Sequence, residues 1–265
     1  SAASDVYKRQ LYLFSRSGEQ LWKKKLDGPI KGKIHTVDFY KNNKFQLLFN
    51  TPNSIHLVDR KGRNVSGFPI KLASPASNEL FVVDYNGKRE YRMFIGCSNG
   101  NIYGYYKSGK PLPGWNPLDK KGMTQFPVIH FVKEDRDYLA FASRSGNIHL
   151  MDRKGRNRVP TIKLNTRLVS GLTLDDIENP KYLFTCDTAG VVYKISLDGN
   201  YSQIVLGSLT NEVRFLCADV TAKTDKELIL FDDGALKIYD QNGRKLFNHY
   251  PNDTTIATAF VANPE

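Results

Sequence analysis

Five histidines, His35, His56, His130, His149 and His249, and three cysteines, Cys97, Cys186 and Cys217, are the side chains best suited to hold a transition metal or to attack an electrophile. Their spacing serves neither purpose. Metal and zinc-hydrolase sites draw on close pairs such as HxH, HExxH or CxxC, and none occurs in this chain. No GxSxG elbow, no phosphate loop ending in Lys-Ser or Lys-Thr and no Cys/His nucleophile signature is present. An odd cysteine count without paired spacing predicts buried free thiols rather than a complete disulfide framework. These residues imply no metal, no cofactor and no catalytic group.

The chemistry left to the chain is electrostatic. It has 38 Lys and Arg against 27 Asp and Glu, a formal charge of +11. Such a balance suits an acidic protein, an anionic polymer, nucleic acid or lipid head groups. It also serves simply to keep strand edges apart in solution. The cations gather around glycines: Arg60, Lys61 and Arg63 at Gly62, Lys107 and Lys110 at Gly109, Arg153, Lys154, Arg156 and Arg158 at Gly155, and Arg244 and Lys245 at Gly243. With 40% hydrophobic residues the composition is that of a globular protein, and no apolar run approaches the roughly 18 residues of a membrane helix.

A repeat positions those cations. IHLVDRKGRN, Ile55 to Asn64, returns as IHLMDRKGRN, Ile148 to Asn157, 93 residues later. The turn glycines Gly18, Gly62, Gly109, Gly155, Gly199 and Gly243 follow one another at intervals of 44, 47, 46, 44 and 44 residues. Four short runs rich in Val, Ile, Tyr and Phe, bounded by Gly, Asn, Asp and Pro, fill each interval and read as strands A to D. In the first complete interval they are KIHTVDFY, KFQLLFN, SIHLVD and VSGFPIKL, and the D runs of the next two are PLPGW and VPTIKL. Both faces of the C run are apolar, with Leu11, Ile55, Ile102, Ile148, Val192 and Leu236 on one of them, so each C strand is expected to lie between two other layers. His56 and His149 are read as packing side chains between repeats. Asp59, Asp152 and Asp240, three before the glycine, are placed to accept a turn N–H while the glycine takes a positive φ.

A period of this length with four antiparallel strands predicts an all-β fold, a β-propeller of four-stranded blades. Full blades are expected at about 29–72, 73–118, 119–164, 165–208 and 209–251. A partial blade supplies strands C and D at 11–28 and an extra strand lies within 252–265, the whole cut from a ring of about six to eight blades. An up-and-down path sends every A–B and C–D turn to the same side. The eleven cations above, with Lys41, Lys44, Lys88 and Arg89 from A–B turns, then form a candidate basic binding face.

The residues resemble two bacterial propeller repeats. SRSGEQLWKKKL, with Gly18 followed four residues on by Trp22, is similar to the PQQ-type repeat. ADVTAKTDKELILFDDGALKIYDQNGRKL resembles a degenerate FG-GAP or VCBS-type repeat, and SGFPI and PGW match the D-strand flavour of that group. Quinoprotein dehydrogenases share the PQQ-type repeat but use adjacent cysteines and a calcium ion, and no two cysteines are adjacent in this chain. FG-GAP-type blades often bind calcium in a Dx[DN]xxxD loop. The matching loops, from Asp38, Asp84, Asp175 and Asp219, keep the leading Asp but fill most ligand slots with lysine or apolar residues. SAASDVYKRQ resembles the in-frame translation of a sequencing adapter. Residues 1–10 are therefore set aside from fold reasoning, and on that reading the natural N-terminus lies upstream.

The reading these features support is a non-catalytic propeller scaffold within a larger bacterial cell-envelope protein, binding a partner protein through its loop faces. Bacterial origin and a periplasmic or envelope location are what the resemblance implies. The alternative is a ligand-binding or enzymatic propeller acting on anionic glycans or small molecules. Nucleic acid is the poorer match, because stacking aromatics are scarce among the turn cations.

Overall fold

The computed structural model describes residues 2–5, 9–119, 126–210, 213–220 and 226–249. The chain is all-β and divides into two compact units, Ser1–Arg167 and Leu168–Glu265. The first unit opens with a three-stranded sheet of β1 (Ala2–Asp5), β2 (Gln10–Phe14) and β3 (Gln20–Lys25). Three four-stranded sheets follow: β4 (Lys31–Val37), β5 (Gln46–Asn50), β6 (Ser54–Val58) and β7 (Ile70–Lys71); then β8 (Phe81–Val83), β9 (Arg92–Gly96), β10 (Asn101–Tyr106) and β11 (Leu118–Asp119); then β12 (Ile129–Lys133), β13 (Arg136–Ala142), β14 (Asn147–Met151) and β15 (Ile162–Lys163). The second unit holds two more: β16 (Thr173–Leu174), β17 (Tyr182–Cys186), β18 (Val191–Ser196) and β19 (Tyr201–Val205); then β20 (Arg214–Ala218), β21 (Glu227–Asp232), β22 (Ala235–Tyr239) and β23 (Lys245–His249). Each is antiparallel, and its strands pair in chain order.

Two features differ from the sequence expectation. The residues set aside as adapter include β1, whose backbone pairs with β2 from Ala2↔Leu13 to Asp5↔Gln10, so the first sheet has three strands rather than two. The D strands of the three blades in the first unit are only two residues long. VSGFPIKL, PLPGW and VPTIKL carry prolines, which cannot donate to a ladder and break it near its start. Single bridges at Val58↔Asn64, Tyr105↔Pro111 and Met151↔Asn157 begin each D segment, which then turns before pairing again. SGF and PGW therefore lie in turns, with Gly67 and Gly114 at φ +85 and +79. In the second unit YSQIV and KLFNH contain no proline and run as full five-residue D strands. The strand expected within 252–265 lies outside the described residues.

The core is interlaminar. Every residue of β6 is buried. Val37, Leu48, Ile55 and Leu57 of one sheet pack with Met93, Ile95, Tyr103 and Tyr105 of the next. Phe94, Ile102 and Trp115 pack with Leu139, Phe141 and Met151 in the same way. In the second unit a cluster joins Phe184 and Val192 to Leu228 and Leu230. Full burial of each such side chain contributes about 1.5–3 kcal/mol, which is why both faces of the C strands had to be apolar.

All six glycine turns close alike. The glycine N–H donates to the carbonyl three residues before it, and that residue's N–H donates to the carbonyl just after the glycine. All six glycines have φ between 76 and 97. Where Asp stands first, as at Asp59, Asp152 and Asp240, one carboxylate oxygen accepts two further turn amides at 2.8–3.0 Å.

These turns are also docking points between blades, and this explains the ten-residue duplication. Trp22 and Trp115 stand the same 93 residues apart as the duplicated stretches. Trp22 Nε1 donates to the Arg60 carbonyl at 2.9 Å, and Trp115 Nε1 to the Arg153 carbonyl at 3.0 Å. A methyl group on Gly62 would sit 3.0 Å from the Trp22 ring, and one on Gly155 would sit 2.6 Å from the Gly114 carbonyl oxygen. Gly109 and Gly243 lie in the same way beneath Ile70 and Ile204. A D segment thus caps the next blade's turn with one large apolar side chain, tryptophan at the two duplicated turns.

Candidate functional site

The nucleophile and ligand candidates are absorbed by packing. His56 stacks on its cross-strand partner Phe49 with ring centroids 5.2 Å apart, and His149 on Phe141 at 5.4 Å. Both rings therefore stack on a neighbour in their own sheet, and His56 also reaches out of that sheet to Asp27, which follows β3. His56 Nε2 donates to Asp27 Oδ1 at 3.0 Å, and Asp27 also accepts from Ser54 Oγ at 2.6 Å and Thr51 Oγ1 at 2.7 Å. Burial holds the His56 imidazole below its usual pKa against the pull of Asp27. Its buried Nδ1 has no partner among the described residues, which favours the neutral ring. Cys97 and Cys186 are buried, Cys217 is half-buried, and burial pushes all three thiols up to about 12. Among the described residues no three His, Cys, Asp or Glu side chains cluster closely enough to hold a metal ion.

The leading aspartates of the A–B loops cap their own turns. Asp38 is 1% exposed and accepts the amides of Asn42 and Asn43 at 3.0 and 2.8 Å and the Arg89 guanidinium at 2.6 Å. Burial opposes its ionisation, but those amides and Arg89 outweigh it and keep the carboxyl below its ordinary range. Asp84 accepts the amides of Arg89 and Glu90, and Asp175 those of Lys181 and Tyr182. The remainder of the Asp219 loop lies outside the described residues.

The candidate basic residues separate into two groups. One is neutralised or packed. Arg63 and Arg156 turn back onto Asp59 and Asp152 at 2.7 and 2.6 Å. Arg153 pairs with Asp137 at 2.5 Å and lies 4.2 Å over the Tyr85 ring. Arg158 covers Tyr138 at 4.6 Å and donates to the Asp137 carbonyl. Lys107 reaches the Arg89 carbonyl at 3.3 Å and Glu90, which also pairs with Lys41. In the second unit Lys245 lies 5.8 Å from the Tyr239 ring. The other group, Arg60, Lys61, Lys110, Lys154 and Arg244, is exposed, and these side chains have no ion-pair partner among the described residues.

In the first unit these turns adjoin one another and enclose two clefts. One, of about 450 Å³, lies between the A–B turn of the β8–β11 blade and the C–D turn of the β12–β15 blade. It is lined by Tyr85, Tyr106, Arg92, Arg153 and Lys154, with Arg92 4.7 Å over Tyr106. The other, of about 270 Å³, lies between the A–B and C–D turns of the β4–β7 blade. Tyr40 and Phe45 in its wall are each 54% exposed, beside Lys44, Arg60 and Lys61. Sequence reasoning passed over these aromatics, although YKNNKF interleaves them with lysines in plain view.

Within each unit successive four-stranded antiparallel sheets pack face to face, each with the same C–D turn, and this places the chain in the β-propeller class. Among solved structures, BBS1N in complex with ARL6DN, from a lead-soaked crystal, matches with a TM-score of 0.64 at 15% identity over 95% of this chain and 76% of that one. A mercury-soaked crystal of the same complex matches at 0.63, 16%, 94% and 75%. At such identity the likeness bears on the fold. In all, 810 solved chains match, and a shape so widely used does not choose a function by itself. No family model and no curated protein matches the sequence. No helix among the described residues is long and apolar enough to cross a membrane.

Proposed function

We propose that the chain is a non-catalytic propeller module of a larger bacterial cell-envelope protein that binds a partner protein through the turn side of its blades. The observation that carries this reading is the contrast within the turns. Their backbones are rigidly closed and their inner cations are tied down, while Arg60, Lys61, Lys110 and Lys154 are left unpaired at the tips. Unpaired charge on a pre-formed surface speeds and orients encounter with an acidic partner. The similar BBS1N was crystallised in complex with ARL6DN, which supports a docking role for a propeller of this kind. The envelope assignment is supported by the resemblance to PQQ-type and FG-GAP-type repeats.

A photo-crosslinking residue placed at Lys61 or Lys154, and separately at the exposed Val205 of the outer strand β19, tests this reading in extract of the source organism. Partner capture is expected at the turn positions. Capture at Val205 alone would overturn it. The alternative, a site for anionic glycans, is favoured by one feature, the 450 Å³ cleft whose tyrosines and arginines suit a sugar ring and its carboxylate. Saturable binding of an oligogalacturonate, abolished by Arg92→Ser, would favour it over a protein partner.

A further inference from the structure

Resting on the reading of the chain as a partner-binding module, we propose that the cleft between the A–B and C–D turns of the β4–β7 blade receives an acidic segment of the partner carrying one aromatic or large aliphatic side chain.

The duplicated turn supplies an internal comparison. Arg60 and Arg153 occupy the same place in DRKGRN, and both carbonyls receive a tryptophan N–H. In the later copy Asp137 and Tyr85 take the Arg153 side chain. In the earlier copy Arg60 has no such partner among the described residues and stands beside Lys61 and Lys44. The carboxylate in this cleft, Asp59, is spent on two turn amides and on Arg63. Three cations thus remain uncompensated around one recess. Large aromatics are normally turned inward, yet Tyr40 and Phe45 are both half exposed in the same recess.

The aromatic pair is also held in place. Tyr40 meets Phe39 edge to face at 5.0 Å, and Phe39 in turn meets Phe68. Asp38 caps Asn42 and Asn43, while Gln46 bridges the loop by accepting from the Phe39 amide and donating to the Lys44 carbonyl. A fixed apolar recess ringed by free cations is complementary to carboxylates flanking one apolar anchor. Single-stranded nucleic acid needs cations that continue along a groove. Beyond this cleft the neighbouring cations Arg89, Lys107 and Arg153 are already neutralised by Asp38, Glu90 and Asp137, which leaves single exposed lysines such as Lys110 and Lys154 rather than a continuous row.

The test uses the whole 265-residue chain and three fluorescent probes: a short Asp/Glu-rich peptide with one central Phe, the same peptide with Ser in place of Phe, and an oligothymidylate of about fifteen nucleotides. The Phe peptide is expected to bind. Arg60→Ser with Lys61→Ser, and separately Tyr40→Ser with Phe45→Ser, are each expected to weaken it by about tenfold or more. Arg144→Ser with Lys163→Ser removes as much exposed charge from residues outside these turns and leaves affinity within about twofold. Undiminished binding by both cleft variants, a Ser peptide that binds as tightly as the Phe peptide, or stronger oligothymidylate binding lost in the cleft variants would each overturn the proposal. Turn-side crosslinks to a partner that persist undiminished in both cleft variants would overturn the cleft while leaving the module reading intact.

Discussion

Two arginines in an identical ten-residue setting have different work. Arg153 satisfies one oxygen of Asp137, a residue 7% exposed whose other oxygen faces His130 at 2.7 Å. Arg153→Ser therefore leaves a buried carboxylate half-served, and a loss of about 1–3 kcal/mol in urea unfolding is expected. The Arg60 side chain is exposed and has no ion-pair partner among the described residues, so Arg60→Ser is expected to stay within about 0.5 kcal/mol. Equal losses would show that the turn, rather than the neighbour, sets the role. Titration acts at the same scale. Burial holds His35 and His56 below the ordinary imidazole pKa, against the Leu80 carbonyl for the first and Asp27 for the second. The unfolded chain then binds protons more readily than the folded one. Their contribution to stability is whole above pH about 6.5 and is lost as pH falls toward the folded pKa values, by at most ~1.4 kcal/mol per pH unit for each group. The urea midpoint is expected to be lower at about pH 5.5 than at about pH 7.5, with a smaller difference in His56→Gln. A midpoint that rises on acidification would contradict the neutral buried rings.

The strand is the element most legible in the sequence, because a period of two and a glycine every forty-odd residues are local signals. The C–D turn was legible for the same reason: Asp, two residues, Gly is a self-contained hydrogen-bonding unit. What the turn docks against was not, since Trp22 and Arg60 are 38 residues apart and meet through a backbone carbonyl that no residue type marks. Prolines erased most of three D strands for a reason visible in the sequence but outweighed by the regularity of the period. The candidate site was half legible: the cations are in the letters, whereas their neutralisation by Asp38, Glu90 and Asp137 is set by neighbouring strands and blades. The interlock makes the turn glycines unequal, and this can be measured. A methyl on Gly18 meets nothing within 4 Å, so Gly18→Ala is expected to cost about 1 kcal/mol from the left-handed φ alone. Gly155→Ala must also displace the Gly114 carbonyl, and is expected to cost about 2–4 kcal/mol. Trp115→Phe, which keeps most of the ring but loses the N–H donor to Arg153, is expected to cost about 1–2 kcal/mol. Thermal or urea unfolding of the three variants would show this order, and a Gly18→Ala loss equal to that of Gly155→Ala would dissolve the interlock argument.

At the scale of the whole molecule the excess charge of +11 divides into charge that builds the structure and charge that faces outward. The structural part consists of short contacts: Arg89–Asp38 at 2.6 Å, Arg153–Asp137 at 2.5 Å and Lys237–Asp232 at 2.5 Å, each with its carboxylate nearly buried. Contacts of that length lie well inside the Debye length of about 8 Å at physiological salt and are screened little. The outward part, at Lys44, Arg60, Lys61, Lys110 and Lys154, acts on an approaching partner across several ångströms of water, where screening is strong. The two parts therefore respond differently to salt. Raising sodium chloride from about 0.05 to about 0.5 M is expected to change the unfolding free energy by no more than about 1 kcal/mol, with any change toward greater stability as the net positive charge is screened. Over the same range the association rate of the acidic Phe peptide is expected to fall by about tenfold or more, while its dissociation rate, set by the aromatic contact, changes by less. Stopped-flow association and urea unfolding on one preparation measure both. An unfolding free energy that falls steeply with salt would mean that exposed ion pairs, rather than the interlaminar core and its buried carboxylates, hold the blades together. An association rate indifferent to salt would remove the electrostatic basis of the turn-side partner site.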